Sequence, residues 1–351
     1  MKKVNQQYIA DQLGISRATV SRCFTNHQGI NPTTRSRVFE LAASLGYTYM
    51  ESRVKTDQKE PQTKSFGVLV CENETDHSGG VYQKPGFELL AGISEYAQLS
   101  GRHLDLHFVE AEADTLEADS YKKISALKTR KWHGVILINA FPKTIVNALH
   151  NIYPLVSLAS QYTDTPVNTV DTNHSLGISM MLERLYKNGH RRIGFLSKAS
   201  EFRKGWMLRR YAAFIEHMTS LGLLVNRKDV LNIHPHRMMP QDESNAYALE
   251  RIRDGVTAWV CASDAHAYEL IRHLHTEGIR VPDDVSITGF DGYSPPEWAP
   301  ELTTSVIPYQ EIGFVGGQRL ERLIQKRSES AQEILVSCKA RDGITVAAAK
   351  A

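Results

Sequence analysis

The 351-residue chain predicts an α/β protein with a small all-α head, on three observations. Two short helical patterns meet at a single glycine, Gly14, near the start. A polar stretch without apolar period then runs from about residue 50 to 64. Beyond Ser65 short apolar strands alternate with longer amphipathic helices, in two series. Repeated βα units give parallel sheets with helices on both faces, and two series argue for two lobes. A chain of this length exceeds one core and accommodates a small domain plus a large one.

In the head, VNQQYIADQLGISRATVSRCF, Asn5 can cap a first helix, with Tyr8, Ile9 and Leu13 on one buried stripe. Gly14 accepts the positive φ of a helix C-terminus, Ile15 adds an apolar anchor, and Ser16 caps the next helix. Along that helix Ala18, Val20, Cys23 and Phe24 are small or apolar, with Val20 and Phe24 facing inward. Ser16, Arg17, Thr19, Ser21 and Arg22 remain outside. Hydroxyls and guanidinium groups without a carboxylate suit phosphate oxygens and base edges in a DNA major groove, as in a helix-turn-helix. An ordinary helical hairpin with a polar face would show the same pattern.

The formal net charge is only +2, but it is unevenly spread. Residues 1–50 carry six Lys and Arg (Lys2, Lys3, Arg17, Arg22, Arg35, Arg37) against Asp11 and Glu40, while the remainder carries 35 against 37. Basic charge concentrated in the helical head is what phosphate contact requires. No apolar run suggests a secretory segment or a membrane span, so a soluble cytoplasmic protein is expected. Cys23, Cys71, Cys261 and Cys338 lack CxxC spacing and read as buried free thiols. His234-Pro-His236 and His273-Leu-His275 resemble metal pairs, but each lacks a third ligand, and no metal or cofactor is expected. No P-loop, GxSxG or activated Cys/His arrangement points to an enzyme.

IADQLGISRATVSRCFTN, followed by INPTTRSRVFELAASLGY, closely resembles the head of the lactose/galactose repressor (LacI-GalR) family of bacterial transcription regulators. In that family ATVSR lies on the recognition helix, and a third helix opens with a cap and a Thr-Arg pair. Here Asn31 is the cap, Pro32 the first helical residue and Thr34-Arg35 the pair. The resemblance places Asn5, Ser16, Arg17, Ala18, Thr19, Ser21, Arg22, Thr34 and Arg35 at DNA. Residues 51–64 depart from the family: Tyr49 stands where a proline is usual, and no leucine lies between Tyr47 and Lys64. The family's hinge helix wedges a leucine into the minor groove; here Val54 or Met50 would have to substitute for it.

In order along the large domain, FGVLVC is a buried strand and Gly86 to Ser100 a helix closed by Gly101. HLDLHFV is a strand, Leu116 to Arg130 a helical stretch and GVILI a strand. The second series has a helix from His174 to Asn188 ended by Gly189, then RIGFL, a helix from Met207 to Leu221, and DVLNI. A helix near Asp242 to Arg253, AWVC, a helix from Ala265 to Glu277 and DVSITGF complete it.

Residues 65–345 resemble the periplasmic-binding-protein-like sensor domain of the same family, through GHRRIGFL, RVPDDVSITGFD and PELTTSVIPYQEIG. The resemblance implies a domain over 65–351 whose chain passes between lobes near 161, 292 and 326. Lobe 1 is then about 65–161 and 293–326, and lobe 2 about 162–292 and 327–345. A small-molecule effector, expected to be a sugar or sugar derivative, would sit in the cleft at the carboxyl ends of strands, after Cys71, Leu196, Cys261 and Phe290.

Arg210, in RYAAF, matches the family's arginine that grips ligand hydroxyls or carboxylates through its fork. Asp264, in ASDAHA, either accepts from ligand hydroxyls or caps its helix, and Ser263 replaces the usual asparagine. Asp291, in GFDGY, keeps the first acid of the family's GFDD; it contacts ligand or holds backbone amides at the crossover. Trp206 can stack on a sugar face or pack structurally, Asp171 leans towards a turn, Tyr82 and Phe87 are aromatics placed to stack, and Trp298 can close over the ligand.

The function expected is a ligand-responsive regulator, a repressor that binds a palindromic double-stranded operator as a homodimer. Each half-site would receive one Ser16-to-Phe24 helix, roughly one turn of DNA apart. The tail after Arg341 is too short for a tetramerising coil. The alternative is a DNA-binding regulator whose sensor domain is vestigial or docks a protein.

Overall fold

The computed structural model describes residues 5–24, 29–44, 64–72, 85–162, 164–198, 205–233, 238–326 and 330–350. The linker of residues 51–63 and Tyr82 lie outside that set, as do His234 and His236.

The head holds α1 (Gln6–Leu13), α2 (Arg17–Phe24) and α3 (Pro32–Ser44). Local rules set its ends. Asn5 accepts from the Tyr8 amide at 2.9 Å, and Ser16 Oγ accepts from Thr19 N at 3.0 Å. Gly14, at φ 64°, closes α1 in the left-handed conformation that a side chain would strain. Ile9, Ala10, Val20, Cys23, Val38, Phe39 and Ala42 form the core, and the Phe24 and Phe39 rings lie 5.3 Å apart. Tyr8 does not join that core: it is exposed, and Ala10 takes the inward place beside Ile9.

The chain divides into two compact units, and the head belongs to the first. The first contains β1 (Ser65–Glu72), α4 (Pro85–Ser100), β2 (His103–Glu110), α5 (Asp119–Lys122), α6 (Ser125–Lys128), β3 (Gly134–Ile138), α7 (Lys143–His150), β4 (Leu155–Leu158) and β5 (Asn168–Thr172). The second contains α8 (His174–Lys187), β6 (Ile193–Leu196), α9 (Gly205–Ser220), β7 (Val230–Leu231), α10 (Gln241–Arg253), β8 (Ala258–Cys261), α11 (Asp264–Thr276), β9 (Ser286–Asp291) and β10 (Thr303–Val306). α12 (Tyr309–Gln325) and β11 (Glu333–Val336) return to the first, and β12 (Lys339–Arg341) belongs to the second.

Each unit has a six-stranded sheet, in the orders β11-β5-β4-β3-β1-β2 and β12-β10-β9-β8-β6-β7. Pairing is parallel from β2 to β5 and from β7 to β10, whereas β12 runs antiparallel to β10. Strand order reverses direction at β1/β3 and at β6/β8, the switch points where an open parallel sheet leaves a crevice at its carboxyl edge. The fully apolar runs GVILI and AWVC occupy central strands, as burial on both faces demands.

Three features depart from the sequence reading. Among the described residues the chain passes between units at 171–172, 308–309 and 335–336, further along than 161, 292 and 326. The reason is strand pairing: β5 is zipped to β4, β10 to β9, and β11 edges the first sheet, so each passage falls at or near the last residue of its strand. Residues 116–130 form two single turns, because Ile124 leaves the helical backbone at ψ 96° while Tyr121, Ile124 and Leu127 all stay buried. DVLNI shortens to Val230–Leu231, since Asn232 turns to φ 58°.

Candidate functional site

Two places gather the residues singled out above. The first is α2. Ser16, Arg17, Ala18 and Arg22 are exposed and Thr19 and Ser21 half-buried, while Val20 and Cys23 face the core. The Ser16 hydroxyl also lies 2.9 Å from Thr19 Oγ1, which orders two hydroxyls at the helix start. Burial holds the Cys23 thiol up at about 11, so it stays an uncharged core group. The outer face therefore offers two guanidinium groups and three hydroxyls, with no carboxylate between Asp11 and Phe24. A helix presenting this set into a groove can contact phosphates and base edges together.

Thr34 is half-buried near the start of α3. Arg35 corrects the reading: only 1% exposed, it packs inward beside Cys23 on the stripe of Val38, Phe39 and Ala42. Desolvation lowers its pKa, partly offset by Cys23. A side chain so placed packs within the head.

The second place is the carboxyl edge of the second unit's sheet, at its switch point. Arg210, on α9 and 3% exposed, is clamped there from several sides. Its Nη1 donates to Asp291 Oδ1 at 3.1 Å and to the Ala262 carbonyl, which closes β8. Its Nε donates to His174 Nδ1 at 3.2 Å. The guanidinium carbon lies 3.8 Å from the centre of the Phe290 ring and 4.5 Å from that of Trp206. Trp206 in turn stacks on His266, with centroids 6.4 Å apart. Asp291, at φ 140° where β9 ends, is buried; burial raises its carboxyl to about 7, against the pull of Arg210.

Asp264 has a different task from the one anticipated. Its carboxylate accepts from the amides of Gly292 at 2.8 Å and Tyr293 at 2.7 Å and from the Thr304 hydroxyl. It is fully buried, with its pKa raised by desolvation, and it holds the turn after β9. Gly289 makes room for it: a Cβ there would lie 2.2 Å from Asp264 Oδ1. The amide-holding role considered for Asp291 thus falls to Asp264. Ser263 Oγ accepts from His266 N and caps α11.

The remaining residues are spread. Asp171 lies buried in β5, within the strand and not in a turn, because Val170 still pairs with Leu158. It belongs to the first unit, as does Phe87, half-buried on α4. Trp298 is 52% exposed and meets the edge of Tyr268, so it packs on α11. His174 and the Phe290 ring are not among the site side chains expected from the sequence, although Phe290 is the middle residue of GFD.

Residues 7–49 match the model of bacterial regulatory proteins of the lacI family, and residues 182–346 that of the periplasmic binding protein-like domain. The "Probable HTH-type transcriptional repressor ExuR" of Bacillus subtilis is 26% identical over 342 residues, 93% of each chain. The HTH-type transcriptional repressor PurR of Photobacterium profundum is 26% identical over 326 residues, 92% of each. Among solved structures, the lac repressor dimer bound to operator and the anti-inducer ONPF superposes with TM-score 0.64 at 21% identity, covering 99% of this chain and 100% of that one. The transcriptional regulator CelR in complex with cellobiose gives 0.64 at 20% identity, covering 98% and 100%. A LacI family regulator from Enterococcus faecium with bound ribose gives 0.63 at 20% identity, covering 82% and 100%.

Proposed function

The chain belongs to the lacI family of bacterial regulatory proteins, and from that premise we propose that it is a cytoplasmic repressor. It binds a two-fold operator as a homodimer and is controlled by a small carbohydrate. The observation that carries the reading is the outward face of α2, where Ser16, Arg17, Thr19, Ser21 and Arg22 stand together without a carboxylate. Each protomer lays that face in one major-groove half-site. Operator affinity then falls steeply with added salt.

Control comes from the second unit, where Arg210 and Asp291 offer a donor and an acceptor side by side, flanked by Trp206. That combination suits a hydroxyl that accepts from one and donates to the other. The effector needs only a different affinity for two conformations of the domain to change operator binding. The protein acts by binding and not by turnover. The internal bonding of Arg210, Asp291 and Asp264 gives weight to a second reading, a sensor domain that takes no small molecule. Relatives with bound cellobiose and ribose weigh the other way.

Selection of bound DNA from random sequence, with and without cell extract, tests the reading. A palindromic operator whose recovery changes with extract supports it. Recovery of no preferred sequence contradicts it.

A further inference from the structure

We propose that His174 is a positioning residue for the effector site, fixing Arg210 so that Nη2 is the donor presented to a ligand. The inference rests on the reading of Arg210 as an effector contact and adds a residue that no motif marks.

An arginine cannot accept a hydrogen bond, so the 3.2 Å contact from Arg210 Nε makes His174 Nδ1 the acceptor. His174 is then neutral, with its ring proton on Nε2. Nη1 is used by Asp291 and the Ala262 carbonyl. Nη2 makes no hydrogen bond among the described residues. Two of the three nitrogens are thus committed inside the protein, and the symmetrical fork expected from the sequence is not available. Nη2 is thus the one donor left for a ligand, with the Asp291 carboxyl bonded to the same guanidinium. One donor next to one acceptor fits a neutral hydroxyl, whereas a ligand carboxylate would face Asp291.

Rotation of the guanidinium about its last side-chain bonds would exchange these roles, and packing alone does not forbid it. Phe290 and Trp206 set the plane of the group, at 3.8 and 4.5 Å, but a plane can turn within itself. His174 adds a constraint at the Nε end, where its acceptor works with the Nη1 bonds to Asp291 and the Ala262 carbonyl to set the edge left to Nη2. Its own place is secure. It is the first residue of α8, whose cap Asn173 accepts from the Leu176 amide at 2.9 Å, and its ring lies 5.8 Å from that of Phe290. It stands two residues beyond the first passage between units, at 171–172.

The test compares His174→Leu, which keeps bulk without an acceptor, with His174→Asn, whose Oδ1 can stand where Nδ1 stood. In the full-length protein labelled with 15N-arginine, exchange of the Arg210 Nε–H with water is read by NMR. Slow exchange in wild type and His174→Asn, with exchange at least tenfold faster in His174→Leu, supports the proposal. Equal exchange in all three overturns it. In parallel, cellobiose and ribose are titrated by calorimetry. For a sugar that wild type binds, His174→Leu weakens Kd about tenfold or more and His174→Asn stays within about threefold, on the strength of hydrogen bonds to charged groups. An unchanged Kd in His174→Leu overturns the proposal. Arg210→Gln separates the two ideas. If it binds the sugar as wild type does, the effector reading of the site fails, and Nε exchange still decides what His174 does.

Discussion

On α2, Arg17 and Arg22 lie exposed beside hydroxyls, with no carboxylate on the same face; in the second unit Arg210 is buried between two rings and bonded to an aspartate, a carbonyl and a histidine. All three are arginines expected to touch a partner, and their surroundings differ in what they leave open. The head keeps its polar groups for an outside surface, since water satisfies them until DNA replaces it. The second unit cannot leave a charge unpaired at that depth, so the same groups first satisfy one another. A substitution on α2 should therefore alter binding with little change in stability, and one in the cluster should alter both.

The largest effect expected from that contrast is at Asp264. Alanine there strips the acceptor from two amides and the Thr304 hydroxyl, and chemical denaturation should show a loss of about 3–5 kcal/mol. A loss below about 1 kcal/mol would blur the line between the two regions.

Asp291 comes next and gives the comparison a pH axis. In the unfolded chain its carboxyl titrates near 4, and in the fold at about 7. Between those values the folded protein holds a proton that the unfolded chain has released, so this group's contribution to stability falls as pH rises and levels off above about 7. Wild type should lose on the order of 1–3 kcal/mol more than Asp291→Asn between pH 4.5 and 7.5. Parallel denaturation profiles for the two proteins would refute this.

Ser16→Ala should cost about 1 kcal/mol of head stability through its lost cap, seen as a lower melting temperature. Smallest of all, Trp298→Ala, half-exposed on Tyr268, should change stability by less than about 0.5 kcal/mol and leave sugar titrations unmoved.

The same contrast decides what could be seen in the sequence. Caps and the Gly14 turn follow neighbours three or four residues away, so the head could be laid out from its string. Arg35 was misplaced although a signal was present: it shares the i, i+3, i+4, i+7 stripe with Val38, Phe39 and Ala42, where an outward residue has no place. In the large domain the strand and helix runs could be seen because their periods are local. The passages between units could not, because they depend on which strand pairs β5 and β10. Asp264 depends on amides 28 and 29 residues away, and only Gly289 hints at the space it needs. His174 follows its cap in an unremarkable helix start, and its value arises only when α9 brings Arg210 alongside.

The most direct test of the whole account is the affinity of Arg17→Ala/Arg22→Ala for the selected operator, by fluorescence anisotropy across a salt series. The account predicts a loss of roughly a hundredfold at moderate ionic strength, with a salt slope shallower by about one to two, and unchanged thermal stability. Affinity and slope equal to those of wild type would contradict it.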